Sequence, residues 1–343
     1  MRVGILTGGG DVPGLNAAIR AVARRSFEHG FEVLGVKDGW KGLLEGMIEP
    51  LGMRSVSGIL HVGGTILGSS RTNPFKIENG VQRVIDNMRK FDMDALVAIG
   101  GDDTLGVAGK LAELGAPAVG IPKTMDNDVY GTDYCIGFDT AVTVVADALD
   151  RLHTTAEAHH RVIVVEVMGR YTGWVATVGG LAGGADFIFI PEKPSSIQEC
   201  VEHVERRFAM GKRFGIIVVS EGAKIKEIIY DEKQLGQADA FGHVRLDLRG
   251  IGTTVAQELE KRTKIETRYV VLGHLQRGGS PTVFDRVLAT RLGVRAADMI
   301  KEKKFGYMAA IQGNKIVDVP LKDVVGRIRE VDPELYNLAE IFY

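Results

Sequence analysis

Short runs of aliphatic and β-branched residues alternate with stretches whose apolar positions recur every three to four residues, almost from end to end. Val3–Leu6 is the first such run. Leu15, Ala18, Ile19, Val22, Ala23 and Phe27 then share one helical face, which Gly30 ends. The same pattern predicts strands at Glu32–Val36, Ala95–Ile99, Ala118–Ile121, Val162–Val167, Phe187–Ile190, Ile216–Val219 and Tyr269–Leu272. Helices fall near residues 104–114, 139–157, 197–210, 252–262 and 283–302. Near-continuous Val/Ile runs suit strands buried on both faces, so the sheets should be mostly parallel with helices on either side. The expected fold is α/β and doubly wound. The long helix after Gly137 marks the expected domain boundary, and residues 222–250, the least periodic stretch, read as a surface loop.

Composition narrows the function. A chain of 343 residues holds two domains at about 150 residues each. Glycine supplies 44 residues, about twice the usual share, so tight turns or close approaches of backbone to ligand must be frequent. With 42 Lys+Arg against 44 Asp+Glu, the net charge of −2 excludes strong overall attraction to nucleic acid or anionic lipid. No apolar run reaches the ~18 residues of a membrane span. The opening MRVGILTGGG passes straight from a strand into glycines, unlike a secretory leader. Cys135 and Cys200 alone cannot build a disulfide framework, so a reducing, cytoplasmic setting is expected.

Four motifs carry the candidate chemistry, each at the end of a strand, where open α/β sheets bind ligands. In Gly8-Gly9-Gly10-Asp11, glycines let backbone N–H groups close on phosphate oxygens at a helix N-terminus, although an ordinary tight turn reads the same way. The chain has neither a Walker A pattern nor GxGxxG, which argues against a P-loop enzyme and a standard dinucleotide dehydrogenase. In Gly100-Gly101-Asp102-Asp103-Thr104, two adjacent carboxylates would repel a bare phosphate, and Mg²⁺ reverses that sign. A helix cap explains one of these Asp residues but not both. Pro122-Lys123-Thr124-Met125-Asp126-Asn127-Asp128 offers a phosphate clamp, a general base and a further metal contact. Arg71, Arg161, Met168-Gly169-Arg170, Glu221, Arg268 and His274–Gly279 together suggest a converging anion site. The histidines other than His274 lack ligand spacing and read as structural.

Read in order, these motifs resemble one family. TGGGDVPGLNAAIR, GGTILGSSR, the GGD turn, P-x-T-x-D-N-D, GTDYCIGFDTA, RVIVVEVMGR, GGLAGGAD and VLGHLQRGGSP-x-x-x-DR follow the pattern of the 6-phosphofructokinases over essentially the whole chain. The resemblance implies phosphoryl transfer to the 1-hydroxyl of fructose 6-phosphate. It also implies a phosphoryl-donor domain at residues 1–137 with about 276–326, and a sugar-phosphate domain at 138–275 with about 327–343. By the same resemblance Asp126 is the general base and Asp102 the Mg²⁺ ligand. Gly10 and Arg71 match contacts to the phosphoryl donor. Thr124, Asp128, Met168, Gly169, Arg170 and Glu221 match the sugar-phosphate site, and His274 and Arg277 the clamp on its 6-phosphate. Arg161 and Arg268 match residues that reach a neighbouring subunit's site, implying a homodimer or homotetramer with shared active sites.

ATP-using members carry glycine where this chain has Asp103 and Lys123. Asp103 would fill the room of a nucleotide α-phosphate. Its charge ~4 Å away would cost on the order of 4 kcal/mol at an effective dielectric of ~20, roughly a thousandfold in binding. Lys123 would supply a cation to a small, highly charged phosphoryl donor. The pair is similar to the branch that uses diphosphate, and diphosphate and fructose 6-phosphate are the expected substrates, ATP being the alternative and an inactive regulatory subunit a remote one.

Overall fold

The structure, a computed structural model, describes residues 1–228, 241, 246 and 249–343. Most of the expected surface loop at residues 222–250 therefore lies outside the described residues. The chain begins β1 (Arg2–Thr7), α1 (Leu15–Glu28), β2 (Glu32–Val36), α2 (Gly39–Glu45) and β3 (Ile48–Leu51). It continues with α3 (Gly80–Lys90), β4 (Ala95–Gly100), α4 (Asp102–Glu113), β5 (Ala118–Pro122) and the long α5 (Phe138–His159). Then come β6 (Val162–Val167), α6 (Trp174–Ala182), β7 (Phe187–Phe189), α7 (Ile197–Ala209), β8 (Gly215–Ser220), α8 (Ile251–Thr263) and β9 (Thr267–Val271). The last elements are α9 (Val283–Lys301), β10 (Tyr307–Gln312), β11 (Lys315–Pro320), α10 (Leu321–Val324) and α11 (Pro333–Glu340). The strands read from the sequence are all present, with ends shifted by a residue or two.

Two compact units divide the described residues. The first comprises Met1–Thr140 and Arg277–Arg329, with residue 241; the second comprises residues 141–228, 246, 249–276 and 330–343. In the first unit the sheet runs β11-β10-β5-β4-β1-β2-β3. Its inner pairings are parallel, while β3 and β11 are antiparallel to β2 and β10. These flanking strands were not legible as such: β3 is only the half-exposed IEPL, whose proline is tolerated at a sheet edge. Leu6, Val36, Leu96, Leu105, Leu111, Met308 and Leu321 are among the buried residues of its core. After β1 the chain winds outward to β2 on one side and to β4 and β5 on the other. The ends of β1 and β4 therefore flank a crevice that the topology itself creates.

The second unit has the order β7-β8-β6-β9, all parallel. Val164, Phe189, Ile217, Val219, Ile251, Val255 and Leu259 are central to its core. α11 covers the edge strand β7. Tyr336 donates its hydroxyl to the Ile188 carbonyl (2.7 Å), and the Ile188 N–H donates to the Tyr343 hydroxyl (3.0 Å). His203 of α7 lies against this cover, 6.0 Å from the Phe187 ring and 5.7 Å from that of Tyr343.

Candidate functional site

In the first unit three strand ends bring three of the motifs together. The Gly8 N–H donates to the Ile99 carbonyl at the end of β4 (3.0 Å), and the Lys123 N–H to the Gly100 carbonyl (2.9 Å). The turns after β1, β4 and β5 are thus stitched side by side. Gly101 caps α4, so Asp102 and Asp103 both occupy its first turn, where the helix dipole favours carboxylates. The cap itself is a glycine, with no side chain to make the capping bond, and both Asp residues lie inside the helix.

Lys123 is 2% exposed. Its ammonium donates to the carbonyls of Gly8 (2.9 Å) and Gly10 (2.6 Å), closing the glycine turn from below. Burial, reinforced by the Arg277 guanidinium, lowers it to about 8. Arg277 lies over the same turn, with Nη1 3.3 Å from the Asp11 carbonyl. A Cβ on Gly10 would stand 2.7 Å from that nitrogen, so only glycine leaves the guanidinium its place. Arg277, expected with His274 on the sugar phosphate, rests its side chain on the Gly10–Asp11 backbone, and His274 is exposed at the start of the same short 3₁₀ helix.

Arg71 is held near the glycine turn by the two serines before it. Ser69 Oγ donates to the Gly9 carbonyl (2.5 Å), Gly9 N–H to the Ser70 carbonyl (3.1 Å), and Ser70 Oγ to the Asp38 carbonyl (2.6 Å). Sequence reasoning passed over Ser69 and Ser70; their position directly before Arg71 was the available signal.

Asp126 is 7% exposed, and its N–H donates to Thr124 Oγ1 (3.1 Å). Asn127, which the sequence reading left without a role, takes φ 53, a left-handed conformation that asparagine tolerates. Its side chain accepts from the Cys135 N–H (2.8 Å) and donates to the Asp133 carbonyl (3.2 Å). Asn127 thereby fixes the bend between Asp126 and Asp128. The Asp128 carbonyl accepts from the Arg329 N–H (2.9 Å).

The second unit gathers its residues at two opposite ends of its sheet. Met168, Gly169 and Arg170 follow β6, and Glu221 follows β8. Glu221 Oε1 accepts from the Arg170 N–H (3.0 Å) and, at 3.4 Å, the Gly169 N–H. Arg170 has φ 53, and a Cβ on Gly222 would lie 1.8 Å from its carbonyl oxygen. Arg161 and Arg268 lie at the other end, before β6 and early in β9. Both guanidinium groups reach Glu266 Oε1, at 3.2 and 2.7 Å. The six residues of β6 separate the two groups by roughly 20 Å. Arg161 and Arg268 therefore do not join Arg170 and Glu221 within one chain.

Among the described residues, no three His, Cys, Asp or Glu side chains converge as a metal site. Asp102 and Asp103 offer only carboxylate oxygens in one helical turn. That donor set fits Mg²⁺, which binds through one or two carboxylates and keeps water and phosphate oxygens as its other ligands. No helix among the described residues is long and apolar enough to cross a membrane.

A family model described as phosphofructokinase matches residues 2–300. A relative from Amycolatopsis methanolica named pyrophosphate–fructose 6-phosphate 1-phosphotransferase is 54% identical, covering 100% of both chains. One from Streptomyces coelicolor named ATP-dependent 6-phosphofructokinase 3 is 50% identical, covering 99% of both. The solved pyrophosphate-dependent phosphofructokinase of Marinobacter aquaeolei shares the fold at a TM-score of 0.84 and 22% identity, over 97% of this chain and 86% of that one. Family match, full-length identity and the doubly wound architecture agree: the chain belongs to the phosphofructokinase family.

Proposed function

We propose that this chain transfers a phosphoryl group reversibly from diphosphate to the 1-hydroxyl of fructose 6-phosphate, giving fructose 1,6-bisphosphate and phosphate. The observation that carries this reading is the joining of Gly8–Asp11, Asp102-Asp103 and Lys123–Asp128 at adjacent parallel strand ends. Phosphoryl transfer needs positioning and charge stabilisation more than covalent chemistry, and this crevice provides both.

Asp126 accepts the proton of the 1-hydroxyl as that oxygen attacks the nearer phosphorus of diphosphate. The bridging P–O bond breaks and phosphate leaves with the electron pair. Arg71, with Gly10 and the cations Lys123 and Arg277 behind it, stabilises the negative charge carried by the phosphoryl donor. Asp102 would hold Mg²⁺, with Asp103 beside it; when bound, the ion neutralises phosphate charge. The first unit is thus the phosphoryl-donor domain and the second the sugar-phosphate domain. Thr124, Asp128, Met168, Gly169, Arg170, Glu221 and His274 hold the sugar phosphate.

The separation of Arg161 and Arg268 from this chain's own Arg170 supports a shared site. The partner's Arg161 and the partner's Arg268 complete it in a homodimer or homotetramer. Buried free Cys135 and Cys200 suit a reducing cytoplasm. Asp103 and Lys123, where glycines accommodate a nucleotide, favour diphosphate. The ATP-dependent reading has its own support in the Streptomyces coelicolor relative, only a little less similar overall. A steady-state assay with fructose 6-phosphate and Mg²⁺, comparing diphosphate, ATP and ADP, decides between them. Turnover with ATP and none with diphosphate would reject the proposal.

A further inference from the structure

We infer that Asp285 is a positioning residue that locks together the chain segments presenting Gly10, Asp126 and Arg277. It belongs to the DR pair that closes the last sequence motif and had no role in the sequence reading. Asp285 sits in the first turn of α9, 0% exposed. An acidic residue at this position ordinarily turns back to its own helix cap. Asp285 reaches instead to the start of α5. Its Oδ1 accepts from the Gly137 N–H (2.8 Å), and its Oδ2 from the Thr140 N–H (2.8 Å) and Thr140 Oγ1 (2.6 Å).

The exchange is reciprocal. The Thr282 N–H donates to Thr140 Oγ1 (3.0 Å), and Thr282 Oγ1 donates to Asp139 Oδ2 (2.6 Å) while accepting from the Asp285 N–H (3.2 Å). Each helix therefore supplies acceptors for the other's unsatisfied N-terminal donors, at the end where helix dipoles favour negative charge. Burial pushes the Asp285 carboxyl up to about 6, so near pH 7.5 it is mainly the ionised, acceptor-only form that three donors require.

The glycine turn is packed into the same node. Gly14, with φ 112, caps α1; a Cβ there would lie 2.5 Å from Ile136 Cγ2 and 3.7 Å from Asp285 Cβ. Gly137, with φ 95, would place a Cβ 2.4 Å from Val12. The 8–14 turn, the end of the Asp126 segment and the segment from Arg277 to α9 thus meet around one carboxylate. They are the backbone supports of Gly10, Asp126 and Arg277.

The inference rests on the diphosphate reading only for its activity arm. Full-length wild type, Asp285→Asn and Thr140→Val are compared by amide hydrogen exchange without ligand, and by kcat and KM with diphosphate and fructose 6-phosphate. Asn keeps the size but points an NH₂ at N–H and O–H donors. In Asp285→Asn, exchange at residues 8–14, 124–140 and 277–285 should rise together by about tenfold or more, while β6 and β8 stay protected. kcat should fall roughly 10- to 100-fold with KM values changed less than about threefold, because displaced groups lose alignment more than affinity. Thr140→Val, which removes one of the three donors, should move the same readouts less and serves if the Asn variant does not fold. Exchange confined to residues 137–140, exchange spread equally through the second unit, or unchanged kcat with loosened segments would overturn the inference. If wild type does not turn over diphosphate, the functional reading falls and the exchange pattern alone decides the lock.

Discussion

His203 is 2% exposed, and neither ring nitrogen finds a hydrogen-bond partner among the described residues. Desolvation among the aromatic rings, aided by Arg207 and Arg206, lowers it from 6.5 to about 4. Between those values the unfolded chain carries a proton on this side chain and the folded chain does not. Stability linked to His203 is therefore fully present above pH 6.5 and is lost as the pH falls toward 4. At about 1.4 kcal/mol per pH unit the loss amounts to about 3 kcal/mol. The perturbation is His203→Phe, which keeps an aromatic ring but cannot titrate. Urea unfolding of both proteins, followed by far-UV circular dichroism at pH 7.5 and at pH 4, gives a difference of differences in which every other titrating group cancels. The variant should gain about 3 kcal/mol relative to wild type on going to the lower pH. Parallel stability curves, with the same gap at both pH values, would refute the reasoning. So would a ring that titrates near 6.5 in the folded protein by NMR.

Three further outcomes concern the reaction. Asp126→Ser should lower kcat by roughly 10²–10⁴-fold, the usual contribution of a general base, with little change in KM for the sugar phosphate; near-normal turnover removes Asp126 from that role. Asp103→Gly should raise the kcat/KM ratio of ATP to diphosphate, and adding Lys123→Gly should shift it by an amount other than the sum of the single changes, since both are proposed to act on the same phosphoryl donor. Additive effects, or no change with ATP, would separate these residues from the choice of phosphoryl donor. Arg161→Ala chains mixed with Asp126→Ser chains should regain activity, because some sites then combine an intact base with the partner's Arg161. Demonstrated subunit exchange without that gain would count against a shared site.

The parallel strands were legible because burial on both faces leaves a run of Val and Ile that few other structures need. β6, written VIVVEV, shows this even with Glu166 inside it, whose carboxylate accepts the Gly252 N–H (2.8 Å) near the start of α8. α6 was missed for the opposite reason: WVATVGGLA is buried nearly all round, so no polar face remains to reveal a helical period. At the candidate site the local chemistry could be read, since glycines and carboxylates at strand ends are contiguous in sequence. The supports could not. Asp285 serves donors 145 and 148 residues away, and Lys123 bonds carbonyls 113 and 115 residues away. Backbone carbonyls carry no residue signature, so only the folded chain reveals such pairs.

The bond from Lys123 to the first turn also bears on how phosphoryl-donor preference changes over evolutionary time. Relatives named for pyrophosphate and for ATP stand at 54% and 50% identity to this chain, so overall similarity does not separate the two names. A lineage that exchanged this lysine for glycine, the change proposed above to admit a nucleotide, would in the same step release the carbonyls of Gly8 and Gly10 from a buried ammonium. Those carbonyls would then need water or a rearranged turn to satisfy them. The two positions are therefore epistatic: the order of substitutions matters, and a turn adapted to glycine must arise before or together with loss of the lysine. Ancestral reconstructions that swap position 123 alone should pass through a poorly active intermediate, whereas exchanging the turn with it should not.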